Sequence, residues 1–196
     1  MAGQSPVFLV CAAGSSTRFG SNNLLHPLAG QQSLLATTLS RLRAGSDLPC
    51  QVAYTGTRTQ LREEILRCNC TPLPLRPASA GLGDTIARAV QQNADAGGWI
   101  ICLADMPAIQ PQTYATIGSH CYREQIVAPV YQGRRGHPVF FPRSCFSRLS
   151  QLHGDQGAAA LLRQNPDSLC LVEVADAGVL LDMDTPDDLD RLTGIQ

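Results

Sequence analysis

Two groups of residues in this chain have the chemistry to handle phosphate. Ala12-Ala13-Gly14-Ser15-Ser16-Thr17-Arg18 puts small residues, three hydroxyls and a cation directly after the apolar run 7–11. Small side chains leave main-chain amides open to an anion, and Arg18 adds a charged donor. Asp105 follows a second apolar run, 99–104, and Asp182 and Asp184 stand two apart near the C-terminus. Carboxylates are the hard oxygen donors that magnesium prefers, and magnesium usually keeps waters beside a substrate phosphate. Each feature also has a plain structural reading. The loop fits an ordinary strand-to-helix turn, and Asp105 fits a cap for the helix expected over 111–119. Three carboxylates brought together repel unless a cation sits among them, so one of the three is expected to be structural.

Two further stretches divide in the same way. Gly133-Arg134-Arg135-Gly136-His137 either grips anionic oxygens or forms an exposed hairpin loop. Gly81-Leu82-Gly83-Asp84-Thr85 either closes over a ligand or is a turn whose Asp84 or Thr85 caps the next helix. Several chemistries are excluded. All fifteen basic residues are Arg, so neither a Schiff-base nor a P-loop lysine exists. There is no GxGxxG, and the five residues between Gly14 and Gly20 with no following Lys rule out a Walker A loop. G-x-S-x-G and HExxH are absent, and Cys68-Asn69-Cys70 lacks the CxxC spacing of zinc and redox sites. The eight cysteines read as reduced, several of them, such as Cys11 and Cys102, as small core hydrophobes.

The elements that must position these residues alternate. Runs 7–11 and 99–104 are apolar throughout, as strands buried on both faces of a parallel sheet are. Ligands of such sheets bind at the C-terminal edge, where both Gly14 and Asp105 fall. Leucine spacing predicts a helix over 33–43, residues 51–54 a strand, and Thr57 with Gln60 a capping box opening a helix to about Arg67. Leu73 and Leu75 between prolines predict an edge strand. Strands are expected at 126–131, 138–141, 168–174 and 179–181 and a helix at 157–162. A last helix is expected to open at Thr185-Pro186. No linker or repeat divides the 196 residues, so one α/β domain over 1–196 is expected. The net charge of −1 offers no general attraction for nucleic acid or an anionic membrane. Without an 18-residue apolar segment or a basic leader, the expected compartment is the cytoplasm.

The motifs occur in a familiar order. Ala12 to Gly20 resembles the AAGxSxRMG signature of nucleotidyltransferases related to the molybdopterin cytidylyl- and guanylyltransferases, continued by Leu24-Leu25 and Pro27-Leu28-Ala29-Gly30. Gly81-Leu82 with Thr85 is similar to that family's G(M/L)xxS loop, and Leu103-Ala104-Asp105-Met106-Pro107 to its aspartate motif. Arg135-Gly136-His137-Pro138 resembles the RGHP segment of the cytidylyltransferase branch. Gly154-Asp155-Gln156-Gly157-Ala158 resembles the GDxGAR block, and residues 181–189 the closing DIDTPEDL. The likeness covers nearly the whole chain.

The resemblance implies a Rossmann-like three-layer fold of the nucleotide-diphospho-sugar transferase type, mostly parallel with an antiparallel member. It also implies Mg2+-dependent transfer of a nucleotide to a molybdopterin phosphate with release of pyrophosphate. Ala12, Ala13, Gly14, Ser15, Arg18, Asn23, Gly81 and Thr85 would hold the nucleotide. Asp105 and Asp182 would bind magnesium and, with Arg18, form the catalytic set. Arg134, Arg135, Gly136 and His137 would face the acceptor. The paired alanines resemble the cytidine branch, which makes CTP the expected donor, and a molybdoenzyme would receive the product. Two positions depart from the pattern: Asn23 stands where the family carries Lys, and Ala159 where it carries Arg. The missing cations leave three explanations: another Arg such as Arg134 reaches in, the substrate carries less charge, or catalysis is lost. Transfer to another phosphorylated acceptor, or binding and delivery of nucleotide or molybdenum cofactor without turnover, are the alternatives.

Overall fold

The computed structural model describes residues 4–13, 23–28, 32–56, 58–121, 124–155, 157–164 and 168–183. Val7–Cys11 (β1), Cys50–Thr55 (β2), Thr71–Leu75 (β3) and Gly98–Leu103 (β4) run parallel, with β1 between β2 and β4. That central place explains why all five residues of β1 are buried. β3 lies at the edge, where Pro72 and Pro74 remove fewest ladder bonds. Ile126–Tyr131 (β5), Arg134–Arg135 (β6), Val139–Pro142 (β7) and Leu169–Glu173 (β8) complete the sheet in the order β3-β2-β1-β4-β7-β5-β6, with β8 parallel to β5. β7 runs antiparallel to both β4 and β5, which makes it the expected antiparallel member.

Helices cover both faces. They are Leu34–Gly45 (α1), Thr59–Arg67 (α2), Leu82–Gln92 (α3), Pro111–Ser119 (α4), Phe146–Leu149 (α5) and Ala159–Gln164 (α6). Alternate residues of β1 serve alternate cores. Phe8 and Val10 pack with Leu35 and Leu39 of α1, Ile65 of α2 and Tyr114 of α4. Val7 and Leu9 pack with Ile86 and Val90 of α3, Leu149 of α5 and Leu161 of α6. The result is the three-layer α/β arrangement expected of the nucleotide-diphospho-sugar transferase type.

Three local expectations change. The helix expected from a capping box at Thr57 starts at Thr59, with Arg58 in the N-cap position and no side-chain cap; Thr57 itself lies outside the described residues. The strand expected at 179–181 is a 3-10 turn over Ala177–Leu180. Its Gly178 lies so close to the backbone of Ala108 that a Cβ would meet the Ala108 carbonyl carbon and oxygen at 2.4 Å. Gly178 N–H also donates to Asp176 Oδ1 at 2.9 Å, which closes the turn. The helix expected over 157–162 begins at Ala159. The helix expected at Thr185-Pro186 falls outside the described residues.

Candidate active site

The sheet register brings the ends of β1 and β4 together. Ala12 N–H donates to Ala53 O at 2.8 Å and Ala104 N–H to Cys11 O at 3.2 Å, so Ala12, Ala13 and Asp105 share the C-terminal edge. Gly14, Ser15, Arg18 and Asp184 lie outside the described residues, as does the side chain of Asn23. The segment after the 3-10 turn returns to this edge, where Met183 N–H donates to the main-chain oxygen of Asp105 at 2.9 Å. Asp182 is thereby set beside Asp105. Burial pushes the Cys11 thiol up to about 12, and the charge of Asp105 adds to the shift, so that carboxylate is felt at the end of β1.

His137 joins from the other side. Its N–H donates to Val179 O at 3.0 Å, and Gly136 N–H donates to Pro129 O at 2.9 Å. A Cβ on Gly136 would stand 2.2 Å from Val179 O, so only glycine lets the chain pass. The His137 ring lies near the Ile101 carbonyl and the charge of Asp182, and its Nδ1 is buried with no hydrogen-bond partner. Burial holds its pKa below the usual histidine range, opposed by that carbonyl and by Asp182.

Asp105 does not cap α4. That helix has Gln110 in the N-cap position, and the carboxylate at its end is Asp176, which sequence reasoning missed. Asp176 Oδ2 accepts from Gln110 N–H at 2.8 Å and from the Thr113 hydroxyl at 2.5 Å, while Oδ1 accepts from Gly178 N–H. Only the local half of this arrangement, an Asp two residues before a Gly, is visible in the sequence. Asp176 thus takes the place at the start of α4 that the sequence offered to Asp105.

Beside the carboxylates, a cavity of about 480 Å³ opens between α3, α6 and the sheet. Leu82, Ile86, Leu103, Phe141 and Leu162 give it apolar walls, and Arg134, Arg135 and His137 stand at one flank. Both arginines are exposed on a hairpin whose Gln132 and Gly133 have φ of 48° and 75°, the positive values a tight two-residue turn requires. The two readings of this stretch are thus compatible: it is a hairpin, and it overhangs a cavity. Ala159 forms part of the wall.

The Gly81 loop leads into the cavity wall at Leu82. Leu82 already belongs to α3, so neither Asp84 nor Thr85 is its N-cap. The Thr85 hydroxyl is buried, 2.9 Å from Gly81 O and 2.8 Å from Ser79 Oγ, and Asp84 Oδ2 accepts from Ala80 N–H at 3.1 Å. The first-turn amide of Gly83 donates to Gly154 O at 2.8 Å. A Cβ on Gly81 would meet that same oxygen at 2.6 Å. Two motifs far apart in the sequence are therefore one structural unit.

Among the described residues, no group of three or more His, Cys, Asp or Glu converges as a metal cage. Magnesium asks for less, one or two carboxylates with waters and substrate oxygens completing its shell, and Asp105 and Asp182 are the carboxylate residues at this edge that could supply them. Among the described residues no helix is long and apolar enough to cross a membrane.

Residues 8–169 match the family model of the MobA-like NTP transferase domain. The chain is 28% identical over 202 residues to the purine catabolism protein PucB of Bacillus subtilis, covering 95% of this chain and 94% of that one. Among solved structures, Rv0371c of Mycobacterium tuberculosis superposes with a TM-score of 0.82 at 27% identity, covering 98% of each chain. The manganese complex of Rv0371c gives 0.78 at 25% identity, over 97% of this chain and 98% of that one. A nucleotidyl transferase from Methanothermobacter shares the fold at 17% identity, with a TM-score of 0.81 over 99% of this chain and 100% of that one. Nucleotidyl transfer is the general chemistry of this fold family, and with most of its length matched the chain belongs to the MobA-like NTP transferase domain family.

Proposed function

We propose that this protein is a magnesium-dependent enzyme that transfers CMP from CTP to the phosphate of a molybdopterin-type cofactor, releasing pyrophosphate. The observation that carries the reading is the Met183–Asp105 main-chain bond, which returns the segment carrying Asp182 to Asp105 at the sheet edge where the Ala12-Ala13 segment ends. The arginine-flanked cavity next to them supports an acceptor that is both phosphorylated and bulky. The manganese complex of Rv0371c supports a divalent ion in a related chain.

In this reading Ala12, Ala13, Gly14 and Ser15 leave the backbone open to the nucleotide, with Asn23, Gly81 and Thr85 completing its site. Thr85 acts by holding the Gly81 turn in shape, since its hydroxyl is engaged there. Arg18 neutralises charge developing on the phosphoryl oxygens. Asp105 and Asp182 would hold the magnesium, which supplies Lewis-acid stabilisation of those oxygens when bound. Arg134 and Arg135 hold the acceptor, and Gly136 and His137 shape its seat. An acceptor phosphate oxygen attacks the α-phosphorus, the bond to pyrophosphate breaks, and no covalent enzyme intermediate forms. Alignment of the two phosphates does most of the work. The same proposal takes residues 1–196 as one cytoplasmic domain that passes its product to a molybdoenzyme.

Asn23 and Ala159 favour a second reading, a protein that binds and delivers nucleotide or cofactor without turnover. Pyrophosphate release from CTP, GTP and ATP with magnesium, with and without molybdenum-loaded molybdopterin, separates the two. Release that needs the pterin and prefers CTP is the expected result. Binding without release from any donor would establish the carrier.

A further inference from the structure

The parallel pairing of β2 with β3 sets Gln51 opposite Thr71. One residue back in the same register, Cys50 stands opposite Cys70. Neighbouring strands lie about 4.8 Å apart, inside the roughly 4.4–6.8 Å range of Cα separations that disulfides span. In-register residues of parallel strands also point to the same face, and both cysteines belong to one buried cluster, each 5% exposed. The Cys70 thiol donates to the Cys68 carbonyl at 3.5 Å, and each of Cys50 and Cys70 lies close enough to shift the titration of the other. Both are free thiols in this structure.

We propose that Cys50 and Cys70 are a thiol modification site, a pair that closes to a reversible disulfide when peroxide oxidises it. The division of labour follows from their surroundings. Burial pushes the Cys11 and Cys121 thiols up to about 12. Cys70 instead is pulled below the ordinary thiol value by the neighbouring Cys50 thiol and then by the Arg43 guanidinium, while Cys50 is raised. Cys70 is the attacking sulfur and Cys50 the resolving one. The Cys70 thiolate attacks a peroxide oxygen, the O–O bond breaks, and the leaving hydroxide takes a proton to become water. Cys50 then loses its proton and attacks the Cys70 sulfenic acid, and a second water leaves. Two thiols and one hydrogen peroxide give one disulfide and two waters.

The pair lies where β2 and β3 begin, at the opposite end of the sheet from Asp105, so the bond leaves the candidate active site untouched. It closes a loop that contains α2 and ties the edge strand β3 to its neighbour. Cross-linking restrains the unfolded chain, so oxidation raises the thermal midpoint.

The test treats the full chain with hydrogen peroxide, alkylates the remaining thiols and maps tryptic peptides without reduction. Arg58, Arg62 and Arg67 lie between the two cysteines, so a cross-link joins two separate peptides. The expected product joins Cys50 to Cys70, disappears with dithiothreitol, and is accompanied by a higher thermal midpoint. In Cys50→Ala, dimedone is expected to trap Cys70 as the sulfenic acid. Both cysteines remaining alkylatable, or Cys70 pairing with Cys68 instead, would overturn the assignment. The wild-type map decides this even if the variant does not fold. A thermal midpoint unchanged after the bond has formed would refute the tie between strands.

Discussion

Replacing Asp176 by Ala tests whether a single carboxylate organises the far side of the site. It removes three hydrogen bonds that end on a side chain only 6% exposed. Hydrogen bonds to charged groups contribute about 1.5–3 kcal/mol each. The Thr113 hydroxyl can rotate to another acceptor, and one amide is the helix-cap contact, typically ~1 kcal/mol. The net loss is therefore about 3–5 kcal/mol, or a fall in thermal midpoint of roughly 6–20 °C for a chain of this size. Asp176→Asn keeps an oxygen acceptor and should lose about half as much. Urea unfolding is the assay, with a lowered midpoint and an unchanged slope as the expected result. The turn that Asp176 closes also carries Val179 O to His137 and leads to Met183, so transfer should weaken at temperatures where both variants remain folded. An Asp176→Ala protein within about 1 kcal/mol of the parent, or an Asn variant as damaged as the Ala one, would refute the reasoning.

Asp105→Ala is expected to abolish transfer while the chain stays folded, since Asp176 holds the start of α4; an undiminished rate at saturating magnesium would sink the metal assignment. Gly81→Ala sets a methyl 2.6 Å from Gly154 O, and calorimetry should show a loss of about 1–3 kcal/mol as that contact opens. Asn23→Lys restores the cation of the family pattern, so initial rates of pyrophosphate release should hold or rise; a strong loss would mean a pocket rebuilt around Asn. His137 is held below the ordinary histidine value of about 6.5, so the unfolded chain takes up its proton first as pH falls. Stability should therefore decline below that value and level off beneath the folded pKa. Urea midpoints against pH should slope less in His137→Gln, and an identical slope would remove His137 from the acid limb.

What could be read from the sequence divides by the kind of contact involved. β1 and β4 are legible because burial on both faces leaves no polar position to blur the run, and Asp105 is legible as the carboxylate that follows one of them. The extent of α4 is legible because Pro111 marks its first turn. Residues 179–181 mislead for a related reason: Val179, Leu180 and Leu181 are apolar as a strand would be, but Gly178 must lie against the Ala108 backbone, and the chain turns instead. The joins that assemble the site are main-chain bonds, Met183 to Asp105, His137 to Val179 and Gly83 to Gly154. A carbonyl oxygen is the same in every residue, so no residue type announces its partner. Only the glycines leave a trace. Gly81, Gly136 and Gly178 each stand where a Cβ would strike backbone; Gly136 lines the cavity, and Gly81 precedes its wall residue Leu82. Chemistry in this chain is carried by side chains that can be named from the sequence, and its geometry by glycines whose reason is visible only once the fold is known.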